Sequence, residues 1–301
     1  MTTLATIRSR VQQLTGNNAM ITATEVDSII RAEHDTVLSD YSWTQRKLDT
    51  IITTSATYST GTLSSSGTTV TGVNTVWTSA FVGRYLRVGS NTFFHRITAR
   101  ASDTSITIES ALPTNAAAGS TYTIFRHRYN LPSNFGRVTS VTSDNRLAEW
   151  SRPDIDRIDP YRTSTATRPD VYTIHGLDPD TTTSQIFQIE FWPVPSSATA
   201  IRVEYLRTNT LTSETDEPLY RSDILIWKSA ESCAYFLHAR TGDDSWMTLA
   251  DRWHTRYAES LQGAREEDLG RQSAPRHVRD TFYSGDRGDD YWLSRDPIGL
   301  R

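Results

Sequence analysis

The sequence predicts an α+β protein in which two N-terminal and two C-terminal helices form a helical bundle. A small antiparallel β-barrel-like module is inserted between them, a second antiparallel β region follows, and an extended C-terminal arm ends the chain. Apolar residues recur at helical spacing near both ends, Thr, Ser, Val and single Gly recur at strand spacing over residues 58–77, and apolar and polar residues alternate over residues 187–191. The expected divisions are 1–50 (N-terminal helices), 51–129 (inserted β module), 130–215 (second β region), 216–263 (C-terminal helical pair) and 264–301 (arm).

Two amphipathic helices are predicted before residue 50. The first has an apolar stripe and a helix-ending Thr-Gly pair, formed by Leu4, Ile7, Val11, Leu14 and Thr15-Gly16. The second begins at Thr22-Ala23-Thr24-Glu25, a capping box in which the first and last side chains can accept each other's backbone N–H groups. Its apolar stripe consists of Val26, Ile29, Ile30, Val37 and Leu38.

An extended strand over residues 48–58 is expected to lead into the β module. Further strands are predicted near residues 60–64, 67–71, 84–88, 92–99, 104–109 and 121–128. Gly89-Ser90-Asn91 separates two apolar runs and contains residues that accept positive φ, so it predicts a hairpin. The segment over 58–77 carries no reactive side chain, which favours a role in assembly over a role in chemistry.

The second β region is expected to contain four clear strands, at residues 137–142, 171–175, 186–192 and 201–206. In the third, Phe187, Ile189 and Phe191 alternate with Gln188 and Glu190, which predicts one face in the core and one face in water. Residues 143–170 contain three prolines, Pro153, Pro160 and Pro169, and are expected to cross the surface as an irregular excursion.

A helical pair is predicted near the C-terminus. Its first helix should open at Asp216-Glu217-Pro218 and end at Thr241-Gly242, with a stripe formed by Leu219, Ile226, Trp227, Ala230, Cys233, Ala234 and Leu237. The second should start at Asp243-Asp244 and end at Gly263, with Met247, Ala250, Trp253, Tyr257 and Leu261 on its apolar face. The aromatic stripe Trp227, Trp246 and Trp253 is assigned to packing, either in the core or between subunits.

The arm over residues 264–301 is rich in Arg, Asp, Gly and Ser and has almost no periodic apolar face, so alone it should be disordered. It nevertheless holds aromatic residues and Arg, the types that anchor interfaces. The candidate interface residues, toward a partner, are Phe282, Tyr283, Tyr291, Trp292, Leu293 and Arg295. The alternative is a solvated tail without a partner.

Composition excludes several classes of protein. The 301 residues suffice for a sizeable core, and the formal net charge of −4 argues against a surface that grips nucleic acid through clustered cations. A single cysteine, Cys233, allows no disulfide within the chain, and we expect it to be buried and inert. The N-terminus lacks an apolar leader and no window approaches the ~20 apolar residues of a membrane span, so we expect no membrane contact.

No catalytic constellation is visible, and we therefore expect no enzyme activity, catalytic residue, metal or cofactor. The seven histidines (34, 95, 127, 175, 238, 254 and 277) form no ligand motif, and His95 and His127 are expected to be satisfied surface groups. The acidic pairs Asp154/Asp156 and Asp178/Asp180 could flank a sugar bond. They lie in loops that contain Pro, however, where Asp commonly forms turns.

An ordered set of short motifs gives the chain a resemblance. The motifs are Leu4-x-x-Ile7-Arg8, Leu14-Thr15-Gly16, a second helix with Asp27, Tyr58-Ser59-Thr60-Gly61-Thr62, Gly67-Thr68-Thr69-Val70-Thr71-Gly72, Thr75-x-Trp77-Thr78, Val82-Gly83-Arg84, Tyr129-x-Leu131-Pro132-Ser133-x-Phe135, Pro169-x-x-Tyr172, Phe191-Trp192-Pro193-x-Pro195, Tyr205-x-Arg207 and Leu211-Thr212-x-x-Thr215-Asp216-x-Pro218. In this order, over residues 1–262, the chain resembles the bacteriophage head-tail adaptor (connector or neck) proteins.

The resemblance implies a structural virion protein, made in the host cytoplasm, that forms a homo-oligomeric ring, in this family usually a dodecamer. Such a ring attaches to the portal protein at the capsid vertex, meets a nozzle or stopper protein and tail fibres, and leaves a channel through which genomic DNA passes without specific binding. The resemblance implies that the C-terminal arm reaches onto the portal or a neighbouring subunit. Closed rings need heterologous faces, which amphipathic helices can supply. The excursion over 144–170 and the arm past Gly263 match the family least well.

Two other classes of function remain open at this stage. A β-rich glycan-binding module of a tail or receptor-recognition protein could use Trp77, Phe93 and Phe94 as an aromatic platform, although four helices argue against it. A glycan-cleaving enzyme would need Asp154 or Asp178 for hydrolysis.

Overall fold

A computed structural model describes residues 2–89, 93–178 and 186–272. Within them the chain forms five α-helices and fifteen β-strands, which confirms the α+β class. The helices are α1 Leu4–Leu14, α2 Ala23–Asp40, α3 Arg152–Ile158, α4 Ser222–Thr241 and α5 Ser245–Gln272. The strands are β1 Lys47–Thr53, β2 Thr62–Ser66, β3 Thr69–Val73, β4 Tyr85–Val88, β5 His95–Ser102, β6 Ser105–Ile108, β7 Tyr122–Phe125, β8 Arg128–Asn130, β9 Phe135–Thr142, β10 Ala148–Glu149, β11 Thr165–Ala166, β12 Val171–Leu177, β13 Phe187–Trp192, β14 Val194–Pro195 and β15 Ala200–Arg207.

The four longer helices share one apolar core, and α4 is central because it contacts α1, α2 and α5. The predicted N-terminal helices are confirmed, and the stripe residues Leu4, Ile7 and Val11 of α1 are fully buried. None of the helices in the described ranges is long and apolar enough to cross a membrane.

The N-terminal capping box of α2 is confirmed. The Thr22 hydroxyl accepts the backbone N–H of Glu25 at 3.3 Å, and the Glu25 carboxylate accepts the backbone N–H of Thr22 at 2.8 Å. Two N–H groups that the helix itself cannot pair are therefore satisfied locally.

Replacing Thr22 with alanine should lower the free energy of unfolding by about 1 kcal/mol, because the Glu25 N–H loses its acceptor. Urea unfolding followed by circular dichroism measures this change. The control is Thr24→Ala, an exposed threonine in the same turn, which should change stability by less than about 0.5 kcal/mol. Equal effects of the two substitutions would contradict the capping role.

The predicted bounds of the C-terminal helices need two corrections. The first helix, α4, begins at Ser222, because Asp216 instead closes a turn and accepts the backbone N–H groups of Thr212 and Ser213 at 2.7 and 2.6 Å. The second helix, α5, does not end at Gly263 but continues to Gln272. Beyond the glycine it still buries Ala264 and Asp268, whose exposed fractions are 4% and 1%. Residues 264–272 are therefore helical and not part of an arm.

The inserted module is a curled six-stranded sheet with the strand order β2-β3-β6-β5-β4-β7. Two isolated bridges, Tyr58 to Ile124 and Leu63 to Ser120, bring the edges of the sheet close together. They curl the sheet into a half-barrel. The six strands correspond to the six predicted ones, with ends shifted by a few residues. Gly89 has a φ of 56°, as the predicted hairpin requires, whereas Ser90 and Asn91 lie outside the described residues.

The second β region contains two sheets that enclose a common apolar core. One has the order β1-β15-β9 and the other β10-β12-β13-β8, and a short parallel pair joins β11 to β14. Core residues come from both sheets, for example Ile52, Val203 and Phe135 from the first and Tyr172, Ile189 and Phe191 from the second. The four predicted strands are confirmed as β9, β12, β13 and β15, but the extended segment after residue 48 ends as a strand at Thr53.

Two predictions for this region are wrong. The polar face of β13 does not meet water, because the exposed fractions of Gln188 and Glu190 are only 8% and 0%. The excursion after residue 143 is not an irregular surface segment, since it contains α3 and places Asp159 and Arg162 in the interior. The excursion folds back and covers Glu190 with Arg162, whose Nε donates to the carboxylate at 2.5 Å. Gln188 is buried beside β8, where its side-chain amide donates to the Asn130 side-chain oxygen at 2.8 Å.

Candidate functional site

Three tryptophans were predicted on the C-terminal helices, and the structure brings them together where α4 crosses α5. Trp253 is 5% exposed and packs beside Ala230, Ala234 and Ala250. Trp227 and Trp246 contact the same cluster but are only half-buried. Trp253 therefore packs within the chain, while the rims of Trp227 and Trp246 remain open to solvent.

The predicted interface residues of the arm lie outside the described residues. They are Phe282, Tyr283, Tyr291, Trp292, Leu293 and Arg295. Their candidate role as an anchor stays a prediction.

A buried cluster of charged residues is the feature that the sequence reading missed. Both oxygens of the Glu190 carboxylate accept a guanidinium N–H, from Arg162 Nε at 2.5 Å and from Arg128 Nε at 3.1 Å. Arg162 also donates to Asp156 at 2.6 Å, and its side chain is 3% exposed. Charge-assisted hydrogen bonds of this kind offset the cost of removing the charges from water.

Arg162 occupies an unusual backbone conformation within this cluster. Its φ is 54°, in the left-handed region that residues with a side chain seldom adopt. The Asp159 carboxylate supports the turn by accepting the backbone N–H groups of Thr163 and Ser164 at 2.8 and 2.9 Å. Although burial acts in the opposite direction, these hydrogen bonds and one from Trp192 lower the pKa of Asp159.

His95 and His127 were expected at the surface, and that prediction is wrong for both. His95 is 9% exposed and its Nδ1 lies 3.0 Å from the Ser110 hydroxyl. His127 is fully buried against the rings of Tyr85, Phe94 and Phe125. Neither ring nitrogen of His127 has a hydrogen-bond partner within the described part of the chain.

The electrostatic surroundings keep His127 neutral. Burial lowers the pKa of its imidazole well below the usual value, and positive charge on Arg128, Arg162 and Arg87 lowers it further. His175, at 3.6 Å from Glu190, has its pKa lowered to about 4, mainly by burial. The cluster therefore joins the carboxylates of Glu190 and Asp156 to several cations, with the two imidazoles uncharged.

The remaining candidate acids have structural partners. Asp154 follows the Ser151 N-cap of α3, whose hydroxyl accepts the Asp154 backbone N–H at 3.3 Å. Asp178 accepts the Asn130 side-chain amide at 2.7 Å and lies 3.6 Å from Arg96, while Asp180 lies outside the described residues. Over the described ranges, no group of three or more His, Cys, Asp and Glu residues could hold a metal ion. Cys233 is buried as predicted, which raises the pKa of its thiol to about 12.

The aromatic platform suggested for a glycan reader is not formed. Trp77 is 0% exposed and its indole N–H donates to the Tyr122 hydroxyl at 3.0 Å. A Cβ on Gly72 would lie 2.9 Å from this indole, so only glycine fits the close approach. Phe94 packs against Tyr85 and Phe125, which leaves only Phe93 largely exposed.

Exposed apolar side chains mark the surfaces that remain available for contacts. Ile51 on β1 is 66% exposed, and Val73 and Val76 near the end of β3 are 56% and 60% exposed. Single exposed apolar residues are common, but an exposed isoleucine on the outermost strand of a sheet is a known route to pairing with another segment.

A comparison with protein families agrees with a role in assembly, in which charged residues stabilise the fold and exposed apolar side chains are available for contacts. The family model described as SU10 adaptor protein matches residues 46–279, which include both β regions and the C-terminal helices. No curated protein matches the sequence. Because the matched residues make up most of the chain, the protein belongs to the SU10 adaptor protein family and is a structural adaptor of bacteriophages, a component of the virion.

Proposed function

We propose that the protein is a head-to-tail adaptor that forms a closed ring, a dodecamer, beneath the portal and joins the capsid to the tail. The observation that carries the proposal is the family match over residues 46–279. In this role the chain acts through binding surfaces and needs no catalytic residue, metal or cofactor. The portal lies above the ring, and a nozzle or stopper protein and tail fibres lie below or outside it.

The helices provide support for a ring contact. Trp227 and Trp246 are half-buried at the crossing of α4 and α5, next to a cluster already packed around Trp253. Aromatic residues that are already partly packed lose little conformational entropy when a partner covers their exposed edges. We propose that a neighbouring subunit covers these rims and that the contact is heterologous, as a closed ring requires.

The charge of the chain is compatible with a channel for DNA. With a formal net charge of −4 and no cationic run in the described helices, the protein offers few phosphate contacts to a passing genome. We propose that DNA passes through the lumen without specific binding.

The proposed attachment can be tested by mixing the purified chain with isolated portal rings and imaging the mixture by electron microscopy. We expect ring-shaped density on one face of the portal. A chain that stays monomeric and never decorates the portal would refute the adaptor proposal.

A truncated chain tests the role of the arm. The cut belongs after Gln272, because a cut at Gly263 would remove the buried residues Ala264 and Asp268 from α5. We expect the truncated chain to fold, with unchanged helix content by circular dichroism, and to lose portal docking. Full-length chain with Asp289→Ser and Asp290→Ser is the control, since it changes the arm but keeps its aromatic residues. Docking by the truncated chain would refute the anchor role of the arm without refuting the adaptor role.

A further inference from the structure

Two arginines lie side by side where the chain enters and leaves the curled sheet. The entering and leaving segments are joined by two backbone hydrogen bonds between Tyr58 and Ile124, at 2.8 and 2.7 Å. Arg84 immediately precedes β4, and Arg126 immediately follows β7. Both residues therefore lie at the junction between the curled sheet and the second β region, and we call them the arginine pair.

The strand register places the arginine pair on one face of the sheet. β4 and β7 are antiparallel, with Tyr85 opposite Phe125. Continued by one residue, the same register puts Arg84 opposite Arg126. Directly opposite residues on antiparallel strands have Cβ atoms about 4.5–5.5 Å apart, and like charges in such positions destabilise the sheet.

Arg84 is held in place by an aromatic ring and two backbone carbonyls. Its guanidinium carbon lies 4.7 Å from the centroid of the Phe81 ring. Its Nε donates to the carbonyl of Ala80 at 3.0 Å, and its Nη1 donates to the carbonyl of Ala56 at 3.2 Å, in the segment that enters the curled sheet. These contacts fix the plane of the guanidinium but use only part of its five N–H donors.

Arg126 is held in the same way, against the ring of Tyr129. Its guanidinium carbon lies 4.8 Å from the ring centroid, and its Nε donates to the carbonyl of Arg128 at 3.0 Å. The Tyr129 hydroxyl accepts the backbone N–H of Ser55 at 3.0 Å. Because Ser55 adjoins Ala56, both guanidiniums lie beside the same short segment of backbone.

No negative charge balances the arginine pair within the described ranges. Neither guanidinium pairs with a carboxylate there, and their remaining N–H groups are not buried. Burial lowers the pKa of Arg84, and the positive charge of Arg126 lowers it further. In the buried cluster, by contrast, Arg128 and Arg162 share the carboxylate of Glu190. The arginine pair has the same excess of cations without the acid.

We propose that Arg84 and Arg126 form a binding site for a phosphate group. Guanidiniums whose planes are fixed can give parallel N–H···O hydrogen bonds to phosphate oxygens, and phosphate carries enough charge and enough oxygens for two of them. The group can come from free inorganic phosphate or from the backbone of a nucleic acid, since both present charged oxygens. The proposal concerns the isolated chain, so it does not depend on ring formation or on the portal.

The site can be tested by isothermal titration calorimetry of the full-length chain with inorganic phosphate, at constant ionic strength set with sodium chloride. The test variant is Arg126→Gln, because the Arg126 side chain donates only one hydrogen bond within the described chain. The matched control is Arg252→Gln, which removes an exposed arginine of α5. We expect phosphate to bind about tenfold more weakly to Arg126→Gln, which lacks one charge-assisted contact, and with unchanged affinity to Arg252→Gln.

Thermal unfolding separates a loss of binding from a loss of folding. Phosphate should raise the Tm of the wild-type chain and of Arg252→Gln above the Tm in chloride at equal ionic strength, and it should raise the Tm of Arg126→Gln much less. A second variant, Arg126→Lys, keeps the charge but loses the planar fork, so it should weaken phosphate binding by a smaller factor. Equal phosphate affinity in the wild-type chain and Arg126→Gln would overturn the site.

A fluorescein-labelled thymidine oligonucleotide distinguishes the two sources of the phosphate group. If the nucleic-acid backbone is the source, the oligonucleotide binds by fluorescence anisotropy, inorganic phosphate displaces it, and Arg126→Gln weakens it about tenfold. If free phosphate is the source, the oligonucleotide does not bind but the calorimetric signal persists. Either result supports the site. A wild-type chain that binds neither probe would overturn it, as would oligonucleotide binding that Arg126→Gln leaves unchanged in a chain that does not bind phosphate.

Discussion

Replacing Glu190 with glutamine should lower the free energy of unfolding by about 3–5 kcal/mol, the usual cost of removing one partner from a buried ion pair. The substitution keeps the shape of the side chain but leaves Arg162, whose side chain is 3% exposed, beside Arg128 without the carboxylate between them. Two cations in an interior of low polarity then repel each other. Urea unfolding monitored by tryptophan fluorescence measures the loss.

A matched glutamate provides the control for this experiment. Glu204 on β15 pairs with Arg202 at 3.4 Å, but its side chain is 44% exposed. Glu204→Gln should therefore cost less than about 1 kcal/mol. Similar losses for the two variants would contradict the structural role assigned to the buried cluster.

A double-mutant cycle measures the interaction energy between Glu190 and Arg162 separately from their contacts with other residues. Because Glu190→Gln/Arg162→Met removes both charges, the second substitution should recover part of the stability that the first one loses. Strictly additive losses would show that Arg162 and Glu190 act independently, against the 2.5 Å contact between them.

Acid should destabilise the protein as the pH falls below about 6.5, and His127 should account for about 1.4 kcal/mol per pH unit of that loss. The pKa of His127 in the folded protein is lowered well below its value in the unfolded chain. The unfolded chain therefore takes up the proton first, so the stability is complete above the unfolded pKa and declines below it. Protonation in place would put a cation among Arg87, Arg128, Arg162 and His175, against the uncharged rings of Tyr85, Phe94 and Phe125.

The contribution of His127 is isolated by a difference between variants. His34 and His175 also have lowered pKa values, chiefly through burial, and they steepen the same acid dependence in every variant. His127→Phe should reduce the slope of unfolding free energy against pH between pH 6.5 and 4.5, measured by urea unfolding at each pH. His254→Phe, which replaces a histidine that is 59% exposed, controls for the loss of an imidazole as such. An unchanged slope in His127→Phe would refute its role.

Local patterns in the sequence predicted most of the secondary structure, because they depend on neighbours along the chain. The Thr22 capping box and the end of α4 at Thr241 require only residues within one or two helical turns. The end of α5 could not be predicted in this way. Gly263 is a plausible stop, but Ala264 and Asp268 continue to contact the rest of the protein, and burial outweighs the low helix propensity of glycine.

The buried cluster could not be predicted because its members are far apart in sequence. The alternation around Glu190 indicates a strand with a polar face, but it contains no sign that Arg162 folds over that face. A similar limit applies to Trp77. The sequence allows it to be an exposed sugar-binding residue, whereas in the fold it is buried and its indole N–H donates to the distant Tyr122. The useful signal was a glutamate in the middle of a mostly apolar strand, together with a segment that contains three prolines and several arginines.

The hydrogen bonds of Arg87 have a mechanical consequence. This side chain, on β4 of the curled sheet, donates to the backbone carbonyl of Tyr161 and, at 2.8 Å, to that of Arg162. Arg162 is in turn bound to β13 through Glu190. A force that pulls on the curled sheet is therefore carried partly by the Arg87 hydrogen bonds. The two backbone segments that connect the sheet to the rest of the protein carry the remainder. Such a tether makes the curled sheet move as a stiff part of the protein and not swing on its linkers.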